Sequence, residues 1–400
     1  MKSVLVAHPT RQHSHRLARV LQDAGLLHSY WTLLPDRRAF PRMPDGFDRL
    51  LPSAVLRHSL HFLPAEKVHI LMGPLLVQKW ASRSNFVALR QLGEWIAWSV
   101  FDRWVARQLP RLQPHVVVGY EMCCAETFKV AKSLGITRVL DAAAFHYATQ
   151  DEILGDENAG SRTWAGEHLR RSKHAEVELA DVVICVSELS RRSYIEAGVE
   201  DIRTAVNQVG CDTAQFKAPY DLRRVGQPKF VFVGIPAYHK GFDVLMSSFA
   251  QLLDQYPDAE LHVVGDAAMA NSMGTDGHVH IHGKLTHDQL SKLLAKMDCL
   301  VLPSRLESFG MVVVEALASG VPVIVSDHAG SSEVVSEDKN GWLVAAGDSS
   351  ILLERLVTCC RDIERVRSMR DGCIKSAAGY DWVHYARRTL DIFEPLINGH

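Results

Sequence analysis

Four hundred residues exceed what one ordinary core serves and suit two domains of about 150 to 200 residues each. With 47% hydrophobic and 22% charged residues the composition is globular rather than disordered, and no run approaches the roughly 18 apolar residues of a spanning helix. The net charge of −2 speaks against nucleic acid but conceals an asymmetry: residues 1–150 carry 19 Lys/Arg against 10 Asp/Glu, residues 151–400 carry 25 against 36.

The apolar run at 4–7 is too short for a signal-peptide core, so a cytoplasmic location is expected. In the first half, short β-branched runs at 4–7, 116–119, 139–141 and 182–186 read as strands. Helix-period segments lie between them at 14–24, with Ser14 as N-cap, at 125–134 before Gly135, and at 164–179. Such alternation is the pattern of parallel βαβ units. Trp80, Trp95, Trp98 and Trp104 lie among Lys79, Arg83, Arg90, Arg103 and Arg107, a stretch that reads either as a surface resting on anionic lipid or as core filling.

Past Cys211 the chain turns irregular and polar, with Pro219, Gly226 and Pro228, and the alternation restarts with strands at 230–233, 260–264, 278–282, 299–302 and 321–325. Thr286, with Gln289 three residues on, is a capping box for a helix over 288–297. The expected organisation is α/β with two Rossmann-like domains, 1–210 and 229–380, joined by a linker at 211–228. The eight cysteines form no C-x-x-C pair and sit in apolar runs, as reduced core residues do. The twenty histidines contain no H-E-x-x-H or comparable ligand spacing, so no metal is expected. Neither a G-x-G-x-x-G after a strand nor a P-loop motif is present, which disfavours dehydrogenases and P-loop enzymes.

In folds of this kind ligands bind at the carboxyl ends of the strands, so the loops there carry the search for chemistry. After the strand at 299–302 come Pro303, Glu307, and a helix starting near Phe309 and Gly310, whose first free amides form an anion site that glycine lets a phosphate approach. Glu315 shares a face of that helix with Met311, Val312 and Ala318, and a carboxylate on an inward stripe needs a partner. Two vicinal ribose hydroxyls would serve; a solvated helix glutamate is the plainer alternative. Lys240 follows the strand at 230–233, with Gly234 and His239 in the same loop, where a fixed cation could neutralise a diphosphate; alone, it also reads as an exposed loop lysine. Gly265 and Asp266, then Gly283, Lys284 and Leu285, end two further strands, and the backbone of 283–285 is placed to read the edge of a base.

Together these residues resemble the retaining glycosyltransferases of family 4, which have the GT-B fold. The correspondence rests on Asn207, Gly210, Asp212 and Phe216; on Gly234, Lys240 and Gly241; on Gly265, Asp266 and Gly283; on Glu307 and Glu315 with Phe309, Gly310 and Val312 between them; and on Gly320, Pro322 and Gly330. The resemblance implies that Glu315 holds the ribose, Glu307 the donor-sugar hydroxyls, Lys240 the diphosphate, and the amides of Phe309, Gly310, Met311 and Val312 the phosphates and sugar. It implies a UDP-, GDP- or ADP-sugar donor, a glycan or lipid-linked acceptor bound by the first domain, and neither metal nor other cofactor. Ile235 and His239 stand where many members carry an arginine, leaving His239 as the weaker second base on the diphosphate. The first half resembles the family less closely. There His146 is similar to the active-site histidine, the opening loop with Arg11 and His13 resembles that of a subgroup and would contact acceptor, and a helix at 381–400 would cross back to complete the first domain. A sugar-nucleotide epimerase of the same fold and a non-catalytic nucleotide-sugar scaffold are the alternative readings.

Overall fold

The computed structural model describes residues 3–10, 12–34, 60–155, 163–216, 228–266 and 277–398. Two fully parallel sheets organise the chain. Their short apolar strands are covered on both faces, which is why they read as continuous hydrophobic runs rather than alternating ones. The first sheet holds β1 (Val4–Ala7), β2 (Leu27–Thr32), β3 (Val68–Ile70), β4 (Val116–Tyr120), β5 (Thr137–Ala142), β6 (Val182–Cys185) and β7 (Thr204–Val206), in the order β3-β2-β1-β4-β5-β6-β7. The second holds β8 (Lys229–Val233), β9 (Glu260–Val264), β10 (Val279–Gly283), β11 (Cys299–Leu302), β12 (Val323–Ser326) and β13 (Gly341–Val344), in the order β10-β9-β8-β11-β12-β13. Strand order therefore reverses between β1 and β4 in one sheet and between β8 and β11 in the other, and these switch points open crevices for ligands.

Four strands escape the sequence reading. In β2, Ser29 and Thr32 break the apolar run yet are buried: Ser29 accepts from the Trp31 indole at 2.8 Å, and Thr32 accepts from the Leu34 amide at 3.2 Å. The three-residue β3 and β7 sit at opposite edges of the first sheet, and β13 opens on a glycine. Pro322 delays β12 by two residues, since it offers only its carbonyl to the ladder, to the Leu300 amide. The capping box at Thr286 and Gln289 forms as expected, whereas Ser14 does not cap its helix: its hydroxyl bonds His8 and Tyr30 instead. All eight cysteines are buried and free.

Each sheet centres its own core. The helix Trp382–Asn398 reaches both: Phe393 and Ile397 lie in the core of the first sheet, while Trp382 packs against that of the second. Cys211 and Phe216, on the expected linker, are buried in the second core; residues 217–227 lie outside the described residues.

The tryptophan-rich stretch splits by environment. Trp98 is buried, Trp95 and Trp104 are half-buried against the first core, and Trp80 alone stands out at 67% exposure. They do not form one amphipathic face. Trp80, Leu76, Val77 and Val87 are exposed on a pair of packed helices, Gly73–Ala81 and Val87–Ala106, with Phe86, Arg83 and Arg90 exposed at and near their junction. No helix among the described residues is long and apolar enough to cross a membrane.

Candidate active site

A cleft of about 760 Å³ lies between the carboxyl edges of the two sheets. From the second half it is lined by Glu307, Ser308, Phe309, Gly310, Met311 and Glu315, all on the loop and helix after β11. From the first it is lined by His13, Arg16, Ala143 and Val186, which follow β1, β5 and β6. Ser187 donates from its hydroxyl to the Ser308 carbonyl at 2.7 Å, joining the two halves beside the cleft.

Two glycines set this geometry. Gly241 has φ of 64°, and a Cβ there would lie 1.9 Å from the Pro303 carbonyl oxygen, so only glycine lets the loop after β8 lie against the loop after β11. The loops are then stitched together, the amides of Arg305 and Leu306 donating to the His239 carbonyl at 2.9 and 3.1 Å. Lys240 is thereby brought into an ion pair with Glu307, both side chains mostly buried. Gly310, at φ of 89°, turns the chain into the helix Met311–Ala318; a Cβ there would meet Glu307 Cγ, the Ser331 hydroxyl and Leu302.

Glu315 lies one turn into that helix, only 6% exposed, with no hydrogen bond or ion pair to its carboxyl among the described residues. Burial alone pushes its pKa up to about 7. A buried carboxyl without a partner is costly, and this one faces the cleft. Burial and the neighbouring Lys240 charge lower the His239 pKa, so this ring is a neutral neighbour of the lysine rather than a second cation. Arg305 is committed elsewhere: its guanidinium bonds both Asp243 oxygens at 2.7 and 2.8 Å and stacks over the Tyr238 ring.

The cleft therefore gathers Glu307, Phe309, Gly310, Met311, Glu315 and His13, with Lys240 held to Glu307. Val312, on the first turn of the same helix, is half-buried and packs against the second core. Gly234, Gly265, Asp266, Gly283, Lys284 and Leu285 lie at neighbouring strand ends, outside the cleft lining. The Gly234 amide donates to Val264 and the Gly265 amide to Gly283, at 2.9 and 3.0 Å. Arg11 lies outside the described residues.

On the first sheet the histidines part company. His13 Nε2 donates to Asp141 at 2.9 Å with both side chains buried, and although burial opposes the charged ring, the carboxylate raises its pKa. Sequence reasoning did not pick out Asp141, although an acid inside the apolar strand β5 is itself a signal. His146 does not line the cleft. It caps the helix Tyr147–Leu154, its Nδ1 accepting from the Ala148 amide at 3.3 Å, with its ring against Tyr147 and Tyr194. Burial and the charges of His174, Lys173 and Arg170 push its pKa down to about 4.

Some of the histidines meet an acid away from the cleft. Strand spacing of two, repeated on neighbouring β9 and β10, brings one side-chain nitrogen or oxygen each of Glu260, His262 and His280 within 4.8 Å of one another. A search for helical i, i+4 pairs passes over it.

Known proteins carry the same architecture. Sucrose-phosphate synthase from Thermosynechococcus elongatus superposes with a TM-score of 0.70 at 17% identity, covering 100% of both chains. HepE of Anabaena, solved with UDP and with UDP-glucose, superposes at 0.66 and 0.64 with 18% identity, covering 98% of this chain and 100% of that one. These likenesses establish a GT-B fold. The phosphatidyl-myo-inositol mannosyltransferase of Mycobacterium leprae is 30% identical over 224 residues, 53% of this chain and 59% of that protein. The chain spans about half the length of the curated relatives it matches. Residues 217–375, which hold Lys240, Glu307 and Glu315, match the family described as glycosyl transferases group 1.

Proposed function

We propose that this protein is a retaining glycosyltransferase that moves a sugar from a UDP-, GDP- or ADP-sugar to a hydroxyl of a glycan or lipid-linked acceptor, in cell-surface polysaccharide or glycoconjugate synthesis. One observation carries the reading: Glu315 is buried in the cleft without a partner among the described residues, and two vicinal ribose hydroxyls would satisfy both of its oxygens. In this reading the donor breaks the Lys240–Glu307 pair. Glu307 turns to the sugar hydroxyls, and Lys240 takes the diphosphate together with the free amides that open the helix Met311–Ala318. The bond from the anomeric carbon to phosphate breaks and a bond to the acceptor oxygen forms on the same face, the acceptor proton passing to the departing phosphate oxygen. Lys240 and the helix terminus supply the positive charge, so no metal enters this route.

The UDP and UDP-glucose bound by HepE favour a uridine donor, and the likeness to a phosphatidylinositol mannosyltransferase favours a lipid-linked acceptor. Trp80, Phe86, Arg83 and Arg90, on the cationic first half, suit peripheral contact with the inner face of the cytoplasmic membrane. Sedimentation with anionic but not zwitterionic vesicles, weakened by salt, tests that contact.

Calorimetric titration with UDP, GDP and ADP tests the donor site. One of them binds wild type and binds Glu315→Ala far more weakly; no binding by any of the three sinks the reading. Donor turnover should then require an acceptor and survive excess chelator. Sugar conversion without acceptor would point to an epimerase.

A further inference from the structure

Away from the cleft, the edge of the second sheet carries a cluster that the transfer reaction does not use. Glu260 and His262 stand two apart on β9, and His280 and His282 two apart on β10, so each pair shares a face. The register sets His280 beside His262, which puts all four on one side of the edge. Glu260 Oε2 lies 3.3 Å from His262 Nε2 and 3.8 Å from His280 Nε2. The other nitrogen of His262, Nδ1, lies 2.9 Å from His282 Nε2, the two rings nearly parallel.

We propose that Glu260, His262 and His280 form a binding site for one divalent transition-metal ion of the zinc class, with His282 as the outer partner that orients His262. Two imidazole nitrogens and a carboxylate suit zinc, nickel or cobalt rather than magnesium or calcium, which prefer all-oxygen sets. Ligand atoms around a tetrahedral zinc stand roughly 3.3 Å apart, which the Glu260–His262 pair already matches. His280, 43% exposed, has room to swing the remaining distance. Without a metal, His262 donates from Nε2 to Glu260 while its Nδ1 faces His282; binding an ion would move the proton to Nδ1, where His282 accepts it, and free the Nε2 lone pair, the arrangement that second-shell partners impose on metal-bound histidines.

Lys229 of β8 is the rival cation. Its ammonium lies 2.9 Å from the same Glu260 oxygen, so the site holds this charge when no metal is bound. A bound ion would displace it and clasp the edge strand β10, from which the loop at Gly283, Lys284 and Leu285 departs.

The full chain, untagged and stripped by chelator, is titrated with zinc against a chromophoric competitor, with magnesium as control. Wild type should bind one equivalent more than His280→Ala, whose half-exposed position leaves the zinc-free melting temperature unchanged. Lys229→Met should bind zinc more tightly than wild type, and His282→Ala about 10–100-fold more weakly. Equal zinc stoichiometry in wild type and His280→Ala, or magnesium displacing zinc at equal concentration, overturns the site. Nucleotide binding by the stripped protein stays at its wild-type value, so this inference and the donor reading fail separately.

Discussion

In the half built on the first sheet, buried acids are satisfied from within. Asp102 accepts from the amides of Glu126 and Thr127 at 2.7 and 2.8 Å, Glu176 from those of Met122 and Cys124 at 2.7 and 2.9 Å, and Asp141 from His13. In the other half, among the described residues, Glu315 is similarly buried and has no partner, while Glu307 has only Lys240. Burial is thus common to both groups, and satisfaction separates them. Acids whose partners are backbone amides hold the scaffold together, whereas an acid left open toward a cleft is placed for a ligand that donates.

The sharpest way to break this contrast is to remove the open groups. Lys240→Ala and Glu315→Ala should each cost about 2–4 kcal/mol in kcat/KM while leaving the melting temperature near wild type. Near-wild-type kinetics in either variant would return that residue to the scaffold.

A pH series is the next sharpest test. Hydroxyls bind the ionised form of Glu315 best, so donor affinity should fall as pH drops through about 7, by up to about tenfold per unit. The sign for stability is opposite: the folded protein retains this proton at pH values where the unfolded chain has lost it. That contribution is full below the ordinary glutamate range and disappears as pH rises toward about 7. A Glu315→Gln protein whose donor affinity shows the same pH profile as wild type would remove the linkage.

Asp141→Asn tests the satisfied side. It should destabilise by about 1–3 kcal/mol, the cost of disturbing a buried hydrogen-bonded group, because His13 can shed its proton and avoid standing as a lone buried charge. The His13 pKa, raised in the folded protein, should fall in this variant, as imidazole NMR titration would detect.

The smallest effect belongs to His146. If it is a cap, His146→Ala loses about 1 kcal/mol of stability, His146→Asn restores most of it, and turnover follows stability in both. Turnover lost in His146→Asn at full stability would instead give the ring the active-site role that the family resemblance implies.

What could be read from the sequence follows the same division. Lys240, Glu307, Gly310 and Glu315 lie on short loops directly after strongly apolar strands, so strand pattern and motif coincide within a few residues. The His13–Asp141 pair joins residues 128 apart, and no local pattern announces such a contact. Strand β2 was hidden because Ser29 and Thr32 look like surface residues until their buried hydrogen bonds are seen. The histidines of β9 and β10 become a cluster only once the register of two strands is known.

The path of the helix Trp382–Asn398 also orders the birth of the molecule. Phe393 and Ile397 seal the first core, yet they leave the ribosome after the whole second sheet has been made. At about 5–20 residues per second, the strands β1 to β7 wait on the order of 10–40 seconds with that apolar seat uncovered. The first half therefore completes its core only after the second half has been made, and a stop codon ahead of Trp382 would leave that apolar seat uncovered.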